Sequence, residues 1–313
     1  MKILTLQQIK AVLQTIDVMP AIESGFVAYS QKKVVVPPVG ELLFEDPPGD
    51  VHIKYGYLIG DDYYVIKIAS GFYDNPKLNL PSSNGLNLLF SQKTGELVCI
   101  LLDEGYLTDL RTAIAGAIAA KYLAPRTVKR IGIVGTGIQA RLQLQSLAFV
   151  TDCKDVVVWG RKVESLARYR SEMEQKGYAI GTTGHLEHLG ASCNLIVTTT
   201  PATSPLLLTG HIQPGTHITA MGSDTPRKQE LDAGILQKAD LVVADSIVQC
   251  QERGEIAHAD PKALIAGKNL FELGEIISCQ ASGRTSESQI TVADLTGVAV
   301  QDMQISKAVF EAA

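Results

Sequence analysis

The stretch that decides the fold is Val128-Lys129-Arg130-Ile131-Gly132-Ile133-Val134-Gly135-Thr136-Gly137-Ile138-Gln139-Ala140. Its first half is a short apolar run that is typical of a buried strand, and it breaks at two glycines separated by one residue. Sequence with the leucine spacing of a helix follows. A strand, a glycine turn and a helix in this order predict the first βαβ unit of a dinucleotide-binding sheet.

Each small residue of this loop has a physical reason in such a site. Gly135 allows the tight turn, Gly137 lets a pyrophosphate approach the backbone, and Ala140 lets the helix pack closely on the strand. The amides at the start of the helix then face the phosphates. We therefore predict that the cofactor is held by the loop residues Gly135, Thr136, Gly137, Ile138, Gln139 and Ala140. A structural turn without a ligand is the alternative.

Further apolar or β-branched runs follow at residues 155–159, 194–200, 216–221 and 240–244. Runs this continuous suit a parallel sheet that is covered on both faces, because neither face has to be polar. We therefore predict an α/β fold class, with a Rossmann-type doubly wound parallel sheet domain at residues 119–296.

The chain before this domain has a different pattern. It begins with a helical stretch over residues 6–32 and continues with strand-like runs at 51–58, 63–69, 87–90 and 97–102. Thr94-Gly95 between the last two runs indicates a hairpin. We predict an α+β domain with an antiparallel sheet at residues 1–118, completed by an amphipathic helix at 297–313 that packs back onto it.

Composition excludes several classes of protein. With 46% apolar and 19% charged residues among 313, the chain is globular rather than disordered. A net charge of -5, from 28 Lys+Arg and 33 Asp+Glu, argues against nucleic acid as a partner. Apolar runs are too short to cross a membrane, and the N-terminus turns polar too early for a signal peptide. Five scattered cysteines indicate reduced thiols, so we expect a cytoplasmic protein.

In such a sheet the residues at the end of the second strand determine whether NAD(H) or NADP(H) binds. Here the chain reads Trp159-Gly160-Arg161-Lys162 at that position. No carboxylate stands at Gly160 to bind a ribose 2′-hydroxyl. Arg161 and Lys162 can instead pair with a 2′-phosphate, so the sequence favours NADP(H) over NAD(H). A solvated basic start of a helix is the alternative. Thr199, at the end of the run 194–200, completes the predicted cofactor set.

Four blocks together resemble the ornithine cyclodeaminase and mu-crystallin superfamily, most closely its ketimine reductase branch, over nearly the whole chain. They are the glycine loop, the lysine block at 64–76, Leu107-Thr108-Asp109-Leu110-Arg111-Thr112-Ala113, and Met221-Gly222-Ser223-Asp224-Thr225-Pro226-Arg227-Lys228-Gln229-Glu230-Leu231. The C-terminal stretch 289–302 also fits. The resemblance implies an NAD(P)-dependent enzyme that acts on an α-amino or α-imino acid and forms a homodimer through its N-terminal domain.

The resemblance also implies roles for single residues. The residues that bind the substrate carboxylate map onto Lys67 and Arg111, and the residue that handles the proton maps onto Asp224. The chemistry asks for the same types, since reducing an imine next to a carboxylate needs cations for the carboxylate and a proton carrier for the nitrogen. Taken singly, Lys67 could instead extend to solvent from a strand edge, Arg111 could pair with Asp109 or Asp103, and Asp224 could be a turn residue before Pro226.

Two departures from the family's ornithine-type members point to the substrate. Those members carry an acidic residue thirteen positions before the lysine for the distal ammonium of ornithine, and Lys54 stands there in this chain. The upstream arginine that they use is also missing from residues 37–43, so we predict that Lys54 joins the carboxylate site. A solvent-facing Lys54 is the alternative.

These departures favour a cyclic imino acid as substrate. We predict reduction of Δ1-pyrroline-2-carboxylate or Δ1-piperideine-2-carboxylate to L-proline or L-pipecolate. The alternatives are an ornithine cyclodeaminase, an alanine-type amino-acid dehydrogenase, a hydroxyproline-, ectoine- or opine-pathway relative, and a non-catalytic mu-crystallin-like binding protein. We expect no metal, since His185-x-x-His188 has no cysteine or acidic partner at ligand spacing.

Overall fold

The structure is a computed structural model that describes residues 1–72, 74–260, 264, 267 and 269–313. Tyr73, in the lysine block 64–76, lies outside the described residues. The chain divides into two compact units, which are described separately. Unit 1 comprises Met1–Arg111 and Val298–Ala313, and unit 2 comprises Thr112–Gly297.

The elements follow one another along the chain in this way. The strands are β1 Lys2–Thr5, β2 Val34–Val35, β3 Gly40–Phe44, β4 Gly49–Leu58, β5 Tyr63–Phe72, β6 Ser83–Ser91, β7 Leu97–Leu102, β8 Ile131–Val134, β9 Asp155–Trp159, β10 Ala179–Thr183, β11 Leu195–Thr198, β12 Thr203–Leu207, β13 His217–Ala220, β14 Gln229–Leu231, β15 Leu241–Ala244, β16 Leu270–Glu272 and β17 Thr291–Asp294. The helices are α1 Leu6–Leu13, α2 Met19–Ser30, α3 Tyr106–Leu123, α4 Ile138–Ser146, α5 Val163–Glu174, α6 Leu186–Ser192, α7 Ala233–Lys238, α8 Ile247–Glu252, α9 Leu273–Ile277 and α10 Ala299–Ala312.

Unit 1 is built on a sheet with the strand order β1-β7-β6-β5-β4-β2, and β3 also pairs with β4. Its neighbours are antiparallel except for β1 and β7, which run parallel. The single helix expected over residues 6–32 is wrong, because α1 ends at Leu13 and a new helix begins at Met19. Pro20 explains the break, since it lacks an amide hydrogen and is tolerated only in the first turn of a helix.

Strand register gives the two faces of this sheet different chemistry. Directly opposed positions on β7, β6, β5 and β4 place on one face the row Leu101, Asn87, Lys67 and Lys54. The alternate positions place on the other face the row Ile3, Ile100, Leu88, Ile66 and Tyr55, and none of these side chains is buried. Helix α10 packs on this sheet and on α2. The face that carries Lys54, Lys67 and Asn87 is therefore buried and mixes these polar side chains with apolar ones, and the other face is apolar and partly open.

Unit 2 contains a sheet with the strand order β10-β9-β8-β11-β13-β17-β15-β16, in which all neighbours are parallel. Alternate residues of one strand pack into two different apolar clusters: Val157 lies in one, and Val156 and Val158 lie in the other. Both faces are therefore covered, as a parallel sheet requires. The predicted α/β fold class with a Rossmann-type parallel sheet is confirmed. In the described part of the chain, no helix combines the length and the apolar character needed to span a membrane.

A buried histidine stands in the centre of this sheet. The Nδ1 atom of His217 lies 2.8 Å from the Thr291 hydroxyl, and its Nε2 atom lies 3.0 Å from the Thr219 hydroxyl. Burial, assisted by the positive charge of Arg284, lowers the pKa of His217 to about 3. The ring is therefore neutral in the folded protein at any ordinary pH.

We predict that this ring weakens unit 2 as the solution becomes acidic. The unfolded chain binds a proton at His217 near pH 6.5 and the folded chain only near pH 3. Between these values the unfolded state binds more protons, so stability falls as pH falls. From pH 7 to pH 5 the wild type should lose about 2 kcal/mol more free energy of unfolding than His217→Gln. Urea denaturation followed by the fluorescence of Trp159 in β9 measures this; equal losses would contradict the prediction.

Candidate functional site

The glycine loop begins where β8 ends. Gly135 has φ of +122°, and a Cβ atom there would lie 2.6 Å from the Thr199 hydroxyl, so both backbone angle and space require glycine. The Gly135 amide donates to the Trp159 carbonyl at 2.9 Å, which joins the loop to β9. Gly137 stands before the first turn of α4, and a Cβ atom there would meet nothing within 4 Å. This open space beside the helix N-terminus suits a phosphate.

The loop borders a cavity of about 400 Å³ at the carboxyl ends of β8, β9 and β11. Six predicted cofactor residues line it: Gly135, Thr136, Gly137, Gly160, Arg161 and Thr199. The other four do not. Ile138 is exposed on α4, Gln139 bonds to Gln143, Ala140 is buried beneath the loop, and Lys162 precedes α5 at an exposed position.

The cavity also shows what can bind at the second strand. A Cβ atom on Gly160 would lie 2.8 Å from Cγ2 of Thr136, so any larger residue there would require the Thr136 side chain to move. Arg161, next along the chain, lines the cavity instead. The glycine turn, the open helix start and the cavity between strand ends fit a dinucleotide. The strand order reverses at β8, which lies between β9 and β11, and such sheets bind ligands at this switch point.

A buried glutamate fixes one wall of this cavity. The Glu230 carboxylate accepts from the Thr198 hydroxyl at 2.6 Å, the Thr200 amide at 2.6 Å, the Thr200 hydroxyl at 2.7 Å and the Gly222 amide at 2.9 Å. Burial raises the pKa of Glu230, while these four donors favour the ionised form. Glu230 thus ties the loop after β11 to the loop after β13.

The loop after β13 carries Asp224. Its Oδ1 atom lies 2.6 Å from Nζ of Lys228, and the Asp224 side chain is about half exposed. The Ser223 hydroxyl donates to the Lys228 carbonyl at 2.6 Å, and Nε2 of His258 lies 2.8 Å from the same oxygen. Asp224 therefore lies at the carboxyl end of a sheet strand, on a loop that these hydrogen bonds fix, and its side chain is partly accessible to solvent.

Unit 1 contains three buried cations, Lys54, Lys67 and Arg111, which form the cation cluster. Lys54 is opposite Lys67 across β4 and β5, and Arg111 lies on α3. The residues are 9%, 2% and 4% exposed, respectively. The alternative of a solvent-facing Lys54 is therefore wrong. Like charges facing each other in a buried sheet require a nearby anion.

That anion is Asp302 in the first turn of α10. Its Oδ1 atom accepts from Nε of Arg111 at 2.9 Å, and its Oδ2 atom lies 3.7 Å from Nζ of Lys67. Burial by itself would raise the pKa of Asp302, but the positive charges of Arg111, Lys67 and Lys54 outweigh it and hold the pKa below the usual range. The carboxylate is therefore ionised at neutral pH.

Arg111 has a second partner on the same helix, since its Nη1 atom donates to Oε1 of Gln301 at 2.9 Å. The side-chain contacts of Arg111 are thus to Asp302 and Gln301, and not to the alternatives Asp109 and Asp103. Asp103 accepts instead from the Leu107 amide at 2.8 Å and from Nδ2 of Asn87 at 3.3 Å. Burial raises the pKa of Asp103.

Glu230 lies in a matching sequence block, and Gln301 and Asp302 lie in the matching stretch 289–302, but the sequence pattern predicts no role for them. The sequence does carry a signal for the C-terminal pair. Gln301 and Asp302 are adjacent polar residues in the predicted helix 297–313, whose neighbours Val298, Ala299 and Val300 are apolar. A carboxylate and an amide in such a helix need partners. Among the described residues, no group of three or more His, Cys, Asp or Glu side chains is placed to hold a metal ion.

Curated relatives match almost the whole chain. The uncharacterized cyclodeaminase y4tK of Sinorhizobium fredii is 41% identical over 100% of this chain and 96% of its own length. The alanine dehydrogenase of Archaeoglobus fulgidus is 36% identical, covering 99% and 94%. The iminosuccinate reductase of Paracoccus denitrificans is 34% identical, covering 94% and 90%.

Solved structures agree in fold over the whole length. The Δ1-pyrroline-2-carboxylate reductase of Thermococcus litoralis, in complex with NADH and L-proline, is 27% identical with a TM-score of 0.90, and the match covers 100% of this chain and 97% of that chain. An archaeal alanine dehydrogenase dimer with bound NAD is 34% identical with a TM-score of 0.89, covering 99% and 95%. The profile of the ornithine cyclodeaminase/mu-crystallin family matches residues 1–313. The predicted resemblance is thereby confirmed: the chain belongs to the ornithine cyclodeaminase/mu-crystallin family.

Proposed function

We propose that the protein reduces a cyclic α-imino acid, Δ1-pyrroline-2-carboxylate or Δ1-piperideine-2-carboxylate, to L-proline or L-pipecolate with a reduced nicotinamide dinucleotide. The observation that carries this proposal is that Lys54 is buried opposite Lys67. Asp302, whose carboxylate both lysines influence, also accepts a hydrogen bond from Arg111. Such a cluster suits a small substrate with one carboxylate next to the reacting carbon. The solved reductase from Thermococcus litoralis holds L-proline and supports this choice.

The cation cluster supplies the binding of the carboxylate. Arg111 is held by Asp302 and Gln301 through Nε and Nη1, so its Nη2 amino group is the donor that those bonds leave for a ligand. Lys67 and Lys54 add compact positive charge from two neighbouring strands. Bonds from charged donors to a carboxylate are about twice as strong as neutral ones. The cluster can therefore hold and orient the substrate by its carboxylate.

Lys54 argues against ornithine as the substrate. A distal ammonium near the Lys54 ammonium would be repelled by a few kcal/mol at an effective dielectric constant of about 20. Asp302, the carboxylate next to the cluster, is already engaged by Arg111 and Lys67. A ring that has no distal charge avoids this repulsion.

Asp224 is the proposed proton carrier. When bound, the reduced nicotinamide supplies the hydride for the imine carbon. The Asp224 carboxyl would give its proton to the imine nitrogen before the hydride arrives, and the resulting carboxylate would regain a proton from solvent afterwards, a role that requires access to solvent. Its half-exposed position on the loop after β13 meets that requirement, and the ion pair with Lys228 holds it in place.

We further propose that NADPH is preferred over NADH. Gly160 supplies no carboxylate to bind a ribose 2′-hydroxyl, and Arg161 lines the cavity where a 2′-phosphate would lie. The solved relatives hold NAD or NADH, so the preference rests on these two residues of this chain.

A linear α-imino acid is the second candidate. It is favoured by the identity to the alanine dehydrogenase and the iminosuccinate reductase, at 36% and 34%. The same carboxylate site and the same proton carrier serve both kinds of substrate. Only the room beyond the reacting carbon distinguishes a ring from an open chain.

We expect the purified protein to oxidise NADPH when Δ1-pyrroline-2-carboxylate or Δ1-piperideine-2-carboxylate is added, with a higher kcat/KM than with NADH. Absorbance at 340 nm measures both rates. Parallel assays with pyruvate plus ammonia and with oxaloacetate plus ammonia test the linear imino acids. A higher kcat/KM for either mixture would replace the cyclic substrate by the linear one.

Ornithine provides the opposing control. A cyclodeaminase releases ammonia from ornithine without net change of the cofactor, whereas we expect no ammonia release. Ammonia release from ornithine together with no imine-dependent NADPH oxidation would overturn the proposed reaction. Binding of cofactor and of proline without any turnover would indicate a binding protein instead.

Substitution of Asp224→Asn should lower kcat at least about 100-fold, because the amide cannot transfer the proton. The dissociation constant of NADPH, measured by its fluorescence, should change little. Asp232→Asn is the matched control: Asp232 caps α7 in the same unit, and because asparagine keeps the capping oxygen this variant should keep both its stability and its rate. An unchanged kcat in Asp224→Asn would remove this residue from the mechanism.

The apolar face of the unit 1 sheet is the basis for proposing a homodimer. Ile3, Leu42, Tyr55 and Leu102 are all more than a third exposed on this face. Exposed apolar surface of this kind marks an interaction site. A second copy of the chain is the occupant we propose, since the archaeal alanine dehydrogenase of the same fold is described as a dimer.

Light scattering during gel filtration should therefore give twice the 33.6-kDa mass of the chain. Ile100→Glu, within the apolar row, should produce a folded monomer because it places a charge in the interface. Val163→Glu introduces the same charge at an exposed apolar position of unit 2 and should remain dimeric. A monomeric wild type would refute the dimer.

The state of the cysteine thiols indicates the cellular compartment of the protein. All five cysteines, including the buried Cys99, Cys193 and Cys250, are free of disulfides. Free thiols persist in reducing compartments. We propose the cytoplasm on this basis.

A further inference from the structure

Gln301 lies beside the cation cluster of unit 1, and the proposed reaction gives it no role. It is 1% exposed in the first turn of α10, next to Asp302. Its Oε1 atom accepts from Nη1 of Arg111 at 2.9 Å. A neutral amide thus lies directly beside the guanidinium that binds the substrate carboxylate in the proposed function.

The bond to Arg111 fixes which way the amide points. Since only the oxygen of an amide can accept from a guanidinium, the Nε2 amino group must be the other end of the Gln301 side chain. Nε2 is buried and has no hydrogen-bond partner among the residues that the structure describes. A buried donor without a partner is costly and calls for an explanation.

The surroundings favour an anionic acceptor for this donor. Lys54, Lys67 and Arg111 contribute three positive charges, and Asp302 contributes one negative charge. Asp103, whose carboxyl group also lies near Lys67 and Asp302, adds at most one further negative charge, so positive charge remains in excess. Of the remaining elements packed on α10, β6 has no ionisable side chain, Lys10 of α1 is exposed, and Glu23 of α2 is only half-buried. An acceptor that enters beside Arg111 is therefore stabilised if it is negative.

We propose that Gln301 is a substrate-binding residue whose Nε2 donates a hydrogen bond to a carboxylate oxygen of the substrate, beside Arg111. This inference rests on the proposed function, because it completes the same carboxylate site. Gln301 adds a directional donor without adding charge, so it favours one orientation of the carboxylate. Asp302 is a positioning residue in this arrangement, since it holds the guanidinium from its Nε side.

Two substitutions separate this role from a purely structural one. Gln301→Glu keeps the oxygen that accepts from Arg111 but removes the donor and places negative charge where the substrate carboxylate would lie. Gln301→Met removes donor and acceptor and keeps the length of the side chain. If Nε2 binds the carboxylate, Gln301→Glu must bind a carboxylate worse than Gln301→Met. If Gln301 only holds Arg111, Asp302 still fixes the guanidinium from its Nε side, so Gln301→Met should bind the carboxylate about as well as the wild type.

The probe is pyrrole-2-carboxylate, a planar ring with a carboxylate, titrated by calorimetry into the protein saturated with NADPH. We expect its dissociation constant to rise about tenfold in Gln301→Met, which corresponds to about 1.4 kcal/mol. In Gln301→Glu it should rise at least about 100-fold. Both variants should keep the wild-type affinity for NADPH and the wild-type far-ultraviolet circular dichroism.

The matched control is Gln304→Met on the same helix. Gln304 is buried against α2, where its Cγ atom approaches Gly25. The substitution should therefore leave the dissociation constant of the probe within about twofold of wild type. Probe binding by Gln301→Met within twofold of wild type would overturn the inference.

The outcomes also separate this inference from the proposed reaction. A wild type that binds pyrrole-2-carboxylate but reduces no imine refutes the reaction and leaves the carboxylate site standing. A wild type that reduces an imine while both Gln301 variants keep its KM refutes Gln301 alone. A wild type that neither binds the probe nor reduces any imine refutes both.

Discussion

The ion pair between Arg111 and Asp302 is the interaction on which the rest of unit 1 depends. Lys54, Lys67 and Arg111 are almost fully buried, and each buried ion costs several kcal/mol in lost hydration. Asp302 binds Arg111 at 2.9 Å and lies 3.7 Å from Lys67, so one carboxylate, with a single negative charge, contacts two of the three cations. The remaining positive charge is what allows the cluster to bind an anion. A cluster that was fully neutralised from within would have no affinity left for a substrate carboxylate.

Strand register decides that this cluster exists at all. Lys54 and Lys67 are directly opposed across β4 and β5, and the next residue on each strand, Tyr55 or Ile66, faces the other way. A slip of either strand by one residue would move its lysine to the apolar face and bring an apolar side chain into the cluster. The pairing therefore couples the substrate site to the surface that we propose for dimerisation, since the same alternation creates both.

The parts predictable from sequence were those that depend on local pattern. Gly135 and Gly137 needed only the strand before them and the helix after them, and the parallel sheet followed from continuous apolar runs. The break between α1 and α2 was missed because apolar spacing continues through Pro20, although the proline itself marked the boundary. The partners of Arg111 could not be found in this way. Asp109 and Asp103 are close to Arg111 in sequence, but Asp302, which binds Arg111, is 191 residues away from it. Only the tertiary fold brings Arg111 and Asp302 together.

That separation constrains how the chain can fold. Unit 1 consists of residues before 112 and after 297, and α10 contributes both Asp302 and Gln301 to Arg111. Until α10 docks, the cations on β4, β5 and α3 lack their buried counter-ion, so they gain nothing from leaving water. Contacts of such long sequence separation form late, because the entropy of closing the loop is lost before the contact is made. The buried substrate site of unit 1 is therefore completed only after the whole of unit 2 has been synthesised, and a chain that ends before α10 has the strands of unit 1 but not its carboxylate site.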